Sequence, residues 1–341
     1  MDYLSPKYDL TDFHYFRKQR YVVESIPKCR EYALAKIYPD GGIKELQSNE
    51  CNSDVIQKVV YIGHFDTTHF GLWLVDYVSR LWESYDQTKY QWIYTSSRDI
   101  NQYAYITELL ELAGVKLNRL RRVTGETVFR NIIVPEQSFI HGESVSIAFR
   151  TLYARMCLNL PISHCDTYEK IYLTRTKLNR KKEIGEWRFE HFFEANGYKI
   201  VALESYPIAQ QAYLIRHAKN IVSLEGTHAH SIVWREACTE GRQIILRKQS
   251  EVIPRQIMLN QLWKIPLTYI DVFEEPYKGF PISHDRGPFL LKWTDEIESF
   301  ARENNMIIPK ECRRGYWRDK IEYIIKCFAY RIWHTLKHTF H

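Results

Sequence analysis

No stretch of the 341 residues reaches the roughly 18 uninterrupted apolar residues of a membrane-spanning helix, so a spanning segment is not expected. Met1 to Thr11 carries Asp2, Lys7 and Asp9 and no apolar run, and no signal peptide is expected ahead of the fold. The seven cysteines (29, 51, 157, 165, 238, 312 and 327) are odd in number and never spaced C-x-x-C. That pattern excludes a disulfide framework and points to reduced thiols in a cytosol. Internal repeats and low-complexity runs are absent, as is Asp-x-Asp. Net positive charge is scarce outside the tail. From Lys310 to His341, eight Lys or Arg face three acids, which accounts for five of the net +6 charges. A nearly neutral body argues against a nucleic-acid partner.

What the chain does have is alternation. Lys58–Ile62 reads as a buried strand followed by a glycine loop, and Phe70–Trp82 has apolar residues at helical spacing. Gln91–Thr95 reads as a strand, Tyr103–Leu112 as a helix ended by Gly114, Asn131–Val134 as a strand, and Ser144–Leu158 as a helix before Pro161. Strands at Ile171–Leu173, Tyr198–Glu204, Asn220–Leu224 and Arg242–Leu246 follow, with helical stretches between them. Such alternation predicts an α/β fold with parallel sheets and a domain boundary near 160–170. Ligands of these sheets bind beyond the carboxyl ends of strands, here the loops after 62, 173 and 224.

Three clusters in those loops can carry chemistry. His64, Asp66, His69 and Asp76 lie in and just after the first, and Asp76 stands among Trp73, Leu74, Val75 and Tyr77. A carboxylate in such surroundings is costly unless paired or used. Thr174-Arg175 follows the second strand, with Lys177, Arg180, Lys181 and Lys182 beyond. An arginine there can meet a phosphate with two parallel hydrogen bonds, while the lysines read as a solvated loop. Glu225-Gly226-Thr227-His228-Ala229-His230 closes the third. Glycine permits close backbone approach, Thr227 is a candidate cap, and the helix start favours an anion. His228 and His230 form only half a metal site.

These residues resemble glycosyltransferase family 61, in its bacterial branch of capsule and surface-polysaccharide enzymes. The family's strand ending in Tyr-Leu-Ser-Arg is matched by Tyr172-Leu173-Thr174-Arg175, and its Glu-Gly-Ser-x-x-His-Asn by Glu225 to Ser231. Glu186, Glu190, Gly197-Tyr198, Glu204, Gln211 and Ala218 occupy further motif positions, and the upstream motif is matched by His69 to Asp76 and Ser79-Arg80-Leu81. Leu72 stands where the family has histidine, Leu203 replaces a proline, and Ser231 an asparagine.

The resemblance implies the GT-B architecture, two facing Rossmann-like domains (1–165 acceptor-side, 166–290 donor-binding) and a C-terminal amphipathic, basic helical region (291–341). It implies inverting transfer of a sugar from a nucleotide diphosphate to a carbohydrate hydroxyl, for surface or capsular polysaccharide; with no Asp-x-Asp present and a helix end plus arginine able to replace a divalent cation, neither metal nor cofactor is expected. Asp76 is the expected base, with His69 and His64 nearby to replace the missing histidine. Arg80 and Trp73 are expected on the acceptor side. Thr174, Arg175, Glu204, Gln211, Glu225, Gly226, Thr227 and His230 are expected on the donor. The acceptor is an oligosaccharide or lipid-linked glycan. The alternative is a non-catalytic protein holding a nucleotide or glycan in the same cleft.

In the tail, Trp317, Ile321, Ile324, Phe328, Ile332 and Leu336 draw one apolar stripe along a helix over 316–338, beside Arg318, Lys320, Lys326, Arg331 and Lys337. Either 313–341 lies on an anionic membrane, placing the enzyme peripherally on the cytoplasmic face, or the stripe packs on the N-terminal domain.

Overall fold

The computed structural model of the protein describes residues 19–47, 56–85, 89–162, 165–178, 182–235, 240–251, 253–274 and 287–339. The first half builds a six-stranded sheet. Its order is Ile43–Glu45, Cys29–Ile37, Thr127–Pro135, Ile56–His64, Gln91–Thr95, Leu120–Val123. The last four strands run parallel and the first two are antiparallel additions. That edge pair was not legible in the sequence, because Cys29–Ile37 is half-exposed and carries charge along its length.

The second half builds a wholly parallel five-stranded sheet, ordered Lys199–Val201, Lys170–Leu173, Asn220–Leu224, Arg242–Arg247, Leu267–Asp271. Its strands are apolar on both faces, as a sheet covered by helices on both sides requires. Ile171 and Leu173 enter one core, and Tyr172 between them enters the other. The first strand in the chain lies second in the sheet, so strand order reverses between Lys170–Leu173 and Asn220–Leu224. The carboxyl ends of these two strands frame a switch-point crevice.

One apolar core runs from the first half into the second, joining Val60, Ile62, Trp73, Phe149 and Tyr153 to Leu173, Trp234, Met258 and Trp263. The Tyr153 ring packs edge-on against Trp234 and Trp263. The helix Ile147–Leu158 is therefore seated between the halves. Its start differs from the sequence expectation: Ser144–Ser146 is a strand, and the Ser146 hydroxyl caps the helix by accepting from the Ala148 N–H.

The expected regular helix over 70–82 is also corrected. Phe70–Leu72 is a single α-turn, Trp73–Tyr77 a π-helical turn and Val78–Arg80 a 3-10 turn. Trp73, Leu74 and Val75 are consecutive and all buried, which crowds a regular helix, and the wider turn accommodates them.

Candidate active site

The switch-point crevice holds two cations on one glycine. Gly226 has φ +130°, outside the range of residues with a side chain. A Cβ there would lie 3.7 Å from the Arg175 guanidinium and 4.0 Å from Lys248 Nζ. Arg175 follows the strand Lys170–Leu173 and Lys248 follows Arg242–Arg247, so three adjacent strand ends converge. Glu183 fixes the pair, lying 3.1 Å from Arg175 Nε and 2.8 Å from Lys248 Nζ. Its side chain is wholly buried. Burial alone would raise its carboxyl pKa, but Lys248 and then Arg175 pull it down to about 2. One carboxylate shared by two cations leaves this trio with one unbalanced positive charge beside Gly226. Lys248 also sits 4.2 Å from the centre of the Phe289 ring.

Thr174 pairs with Thr176 through their hydroxyls at 2.9 Å, and Thr176 donates to Glu190. Glu186 accepts from the Arg175 N–H at 3.0 Å and from the Tyr172 hydroxyl. Burial pushes the Glu186 carboxyl up to about 8, with neighbouring carboxylates adding to the shift and the Arg175 N–H opposing it. The turn that carries Arg175 is therefore clamped from beneath. Gly226 caps a 3-10 helix, Thr227–Trp234, so the cap position falls on the glycine and not on Thr227, contrary to expectation. Thr227 instead packs on Gly71, where a Cβ would meet its hydroxyl at 2.9 Å.

The histidines of this helix are neutral. Burial, reinforced by Arg175, takes His228 down to about 3, and burial with Arg255 does the same to His230. His228 Nε2 lies 3.7 Å from Glu204, and its Nδ1 is buried without a partner beside the cations. His230 Nδ1 is 2.8 Å from Gln256 Oε1, and Gln256 Nε2 donates to Gln243 and Asn260. With its amide N–H groups so used, Gln256 accepts from His230 Nδ1–H, which leaves Nε2 as an acceptor.

Asp76 is brought to the same region from the other half. The turns Phe70–Leu72 and Trp73–Tyr77 pack on Thr227–Trp234. The Asp76 carboxylate pairs with Arg255 at 3.0 Å, on the helix Pro254–Trp263. Burial raises its pKa above the ordinary value and Arg255 only partly offsets that. His69 lies alongside, its Cε1 3.4 Å from a Cβ position on Gly71.

Not every expected residue gathers here. His64 ends the strand Ile56–His64 and bonds Thr95 through Nδ1 at 3.0 Å. Trp73 is corrected from acceptor contact to core: it is wholly buried against Phe65 and Tyr77 and donates to the Thr67 carbonyl. Arg80 is likewise turned into the body, bonding the Pro135 carbonyl and flanking Gly63. Gln211 donates to the Tyr206 carbonyl, leaving its buried Oε1 unpartnered, and Glu225 is buried next to Gly226. Arg180 and Lys181 lie outside the described residues. Among the described residues no three His, Cys, Asp or Glu side chains are grouped to hold a metal ion. Lys248, Glu183 and Arg255 were missed. Only Lys248 carried a local signal, a cation directly after a strand.

A doubly wound α/β sheet with an arginine and a lysine on a glycine at its switch point is an anion-binding enzyme scaffold. The family model described as Glycosyltransferase 61 matches residues 70–245, which spans both Asp76 and the Gly226 turn. The chain belongs to glycosyltransferase family 61, and it is a glycosyltransferase. Among curated proteins no relative matches it.

Proposed function

We propose that the protein transfers a sugar, with inversion, from a nucleotide diphosphate to a carbohydrate hydroxyl. The observation that carries this reading is the pair of cations on Gly226, held by Glu183. An acceptor hydroxyl oxygen attacks the anomeric carbon, its proton passes to Asp76, and the bond to the diphosphate oxygen breaks with its electrons leaving on that oxygen. Arg175, Lys248 and the N–H groups of Gly226 and Thr227 stabilise the departing charge, which is the role a divalent cation fills elsewhere. On this reading the reaction is metal-independent, His69 and His230 Nε2 orient hydroxyls beside the base, and Glu225, Glu204 and Gln211 meet the donor's nucleoside and sugar. The two sheets act as the facing domains of a GT-B enzyme, and the acceptor is a surface-polysaccharide glycan, assembled at the cytoplasmic face of a membrane.

The test is a panel of nucleotide sugars, read by melting temperature and by turnover, because a ligand that binds only the folded state stabilises it. A true donor raises the melting temperature of the wild type, and Arg175→Lys loses about 10-fold or more in affinity, since lysine keeps the charge without the planar two-point contact. Full affinity in Arg175→Lys refutes the assignment. A donor that binds but is never consumed points to the non-catalytic alternative.

A further inference from the structure

The C-terminal helix Tyr316–Thr339 is held to the body by one face. Tyr323 and Cys327 pack with Ile184 and Leu290, and Asp319 pairs with the buried Arg188. The opposite face is uncovered. Trp317, Ile321, Ile325, Phe328 and Ile332 are 62%, 49%, 62%, 61% and 61% exposed. At 100° per residue these five fall within about a quarter of the helix circumference, with Ile324 on one border. The expectation that this stripe packs on the N-terminal domain does not hold for these residues. The side chains of Leu336 and Lys337 lie outside the described ones.

Cations flank the stripe. Lys320 and Arg331 lie along one border and Arg318 along the other, and Arg318 and Arg331 have no acidic partner among the described residues. At the stripe's start, sharing Trp317 and Arg318 with it, opens a cavity of about 530 Å³ lined also by Trp187, His191, Glu311, Arg314, Gly315 and Asp319, the last of which is neutralised by its pairing with Arg188. An exposed apolar patch rimmed by cations, continuous with an aromatic recess in which Arg314 and Arg318 stand beside Glu311 and the Arg188-paired Asp319, has two complements in a single anionic phospholipid: acyl chain for the stripe, headgroup for the two arginines. A second copy is a poor occupant, since a two-fold contact through the stripe sets one copy's cations against the other's.

We propose that this face docks in the plane of an anionic phospholipid bilayer, with an anionic headgroup seated between Arg314 and Arg318. The surface does not depend on the catalytic reading. The test uses the full chain and sedimented vesicles of phosphatidylcholine alone or with 30% phosphatidylglycerol, at low and high salt. The wild type should bind the mixed vesicles, and bind more weakly in high salt. Phe328→Ser with Ile332→Ser should reduce partitioning by about tenfold or more at each salt. Arg318→Gln and Arg331→Gln should each cost about fivefold on the mixed vesicles and nothing on the neutral ones. All variants should keep the wild-type melting temperature, because these side chains face solvent. Equal binding to neutral vesicles, no vesicle binding at all, or a dimer that Phe328→Ser dissolves would each overturn the proposal. The last outcome would identify a second copy as the occupant.

Discussion

Replacing Glu183 by glutamine removes the one charge that holds Arg175 and Lys248 together. The wild-type carboxyl is held near 2 against an ordinary 4.5, a difference worth about 3 kcal/mol net of the cost of burying it. Its side chain is wholly buried, so solvent screening removes little of this. The unliganded variant should therefore lose about 3 kcal/mol, or roughly 4 °C in melting temperature. A nucleoside diphosphate supplies the missing negative charge, so it should stabilise Glu183→Gln more than it stabilises the wild type. The pH signature is specific. A carboxyl with a depressed pKa contributes stability that is present above 4.5 and is lost as pH falls toward 2, so the gap between wild type and variant should close over that window. Thermal melts of both proteins, with and without diphosphate, decide it. A variant as stable as the wild type, or one whose diphosphate response is no larger, would refute the shared-carboxylate reading.

Asp76→Asn should lower kcat by about 10² to 10⁴ while leaving the melting shift produced by donor intact, because it removes the base and not the anion cradle; retained turnover would exclude Asp76 as the base. Gly71→Ala forces a methyl to within 2.9 Å of the Thr227 hydroxyl. It should cost roughly 1–3 kcal/mol in urea unfolding and also depress turnover by separating Asp76 from Gly226, whereas an unchanged urea midpoint would show that the two turns are not pressed together. His228 and His230 titrate near 3 when folded and near 6.5 when unfolded. The stability they protect is present above 6.5 and is lost as pH falls toward 3, by about 1.4 kcal/mol per pH unit for each. Substituting both with glutamine should flatten the dependence of the urea midpoint between pH 7 and 5, and an equally steep dependence would mean that neither is buried neutral.

Much of the fold and part of the site were legible in the chain because the signals are local. A parallel strand buried on both faces is a short apolar run, and its helix repeats every three or four residues, so the second sheet could be read almost strand by strand. Arg175 and Gly226 were singled out for the same reason: each stands immediately after such a run, where a doubly wound sheet presents its ligand site. Lys248 obeys the same rule after Arg242–Arg247. Glu183 and Arg255 obey no local rule. Glu183 lies in a two-residue strand paired with Phe289–Leu290, and Arg255 at the start of a helix, and only the folded chain sets them against Lys248 and Asp76. Charge pairing acts over a few ångströms in space and has no period in sequence. The tail divides in the same way. Its apolar stripe was written in the spacing from Trp317 to Ile332, but whether it faces protein or solvent depended on which side the body covers. Tertiary packing settled that by burying Tyr323 and Cys327 and leaving Phe328 exposed.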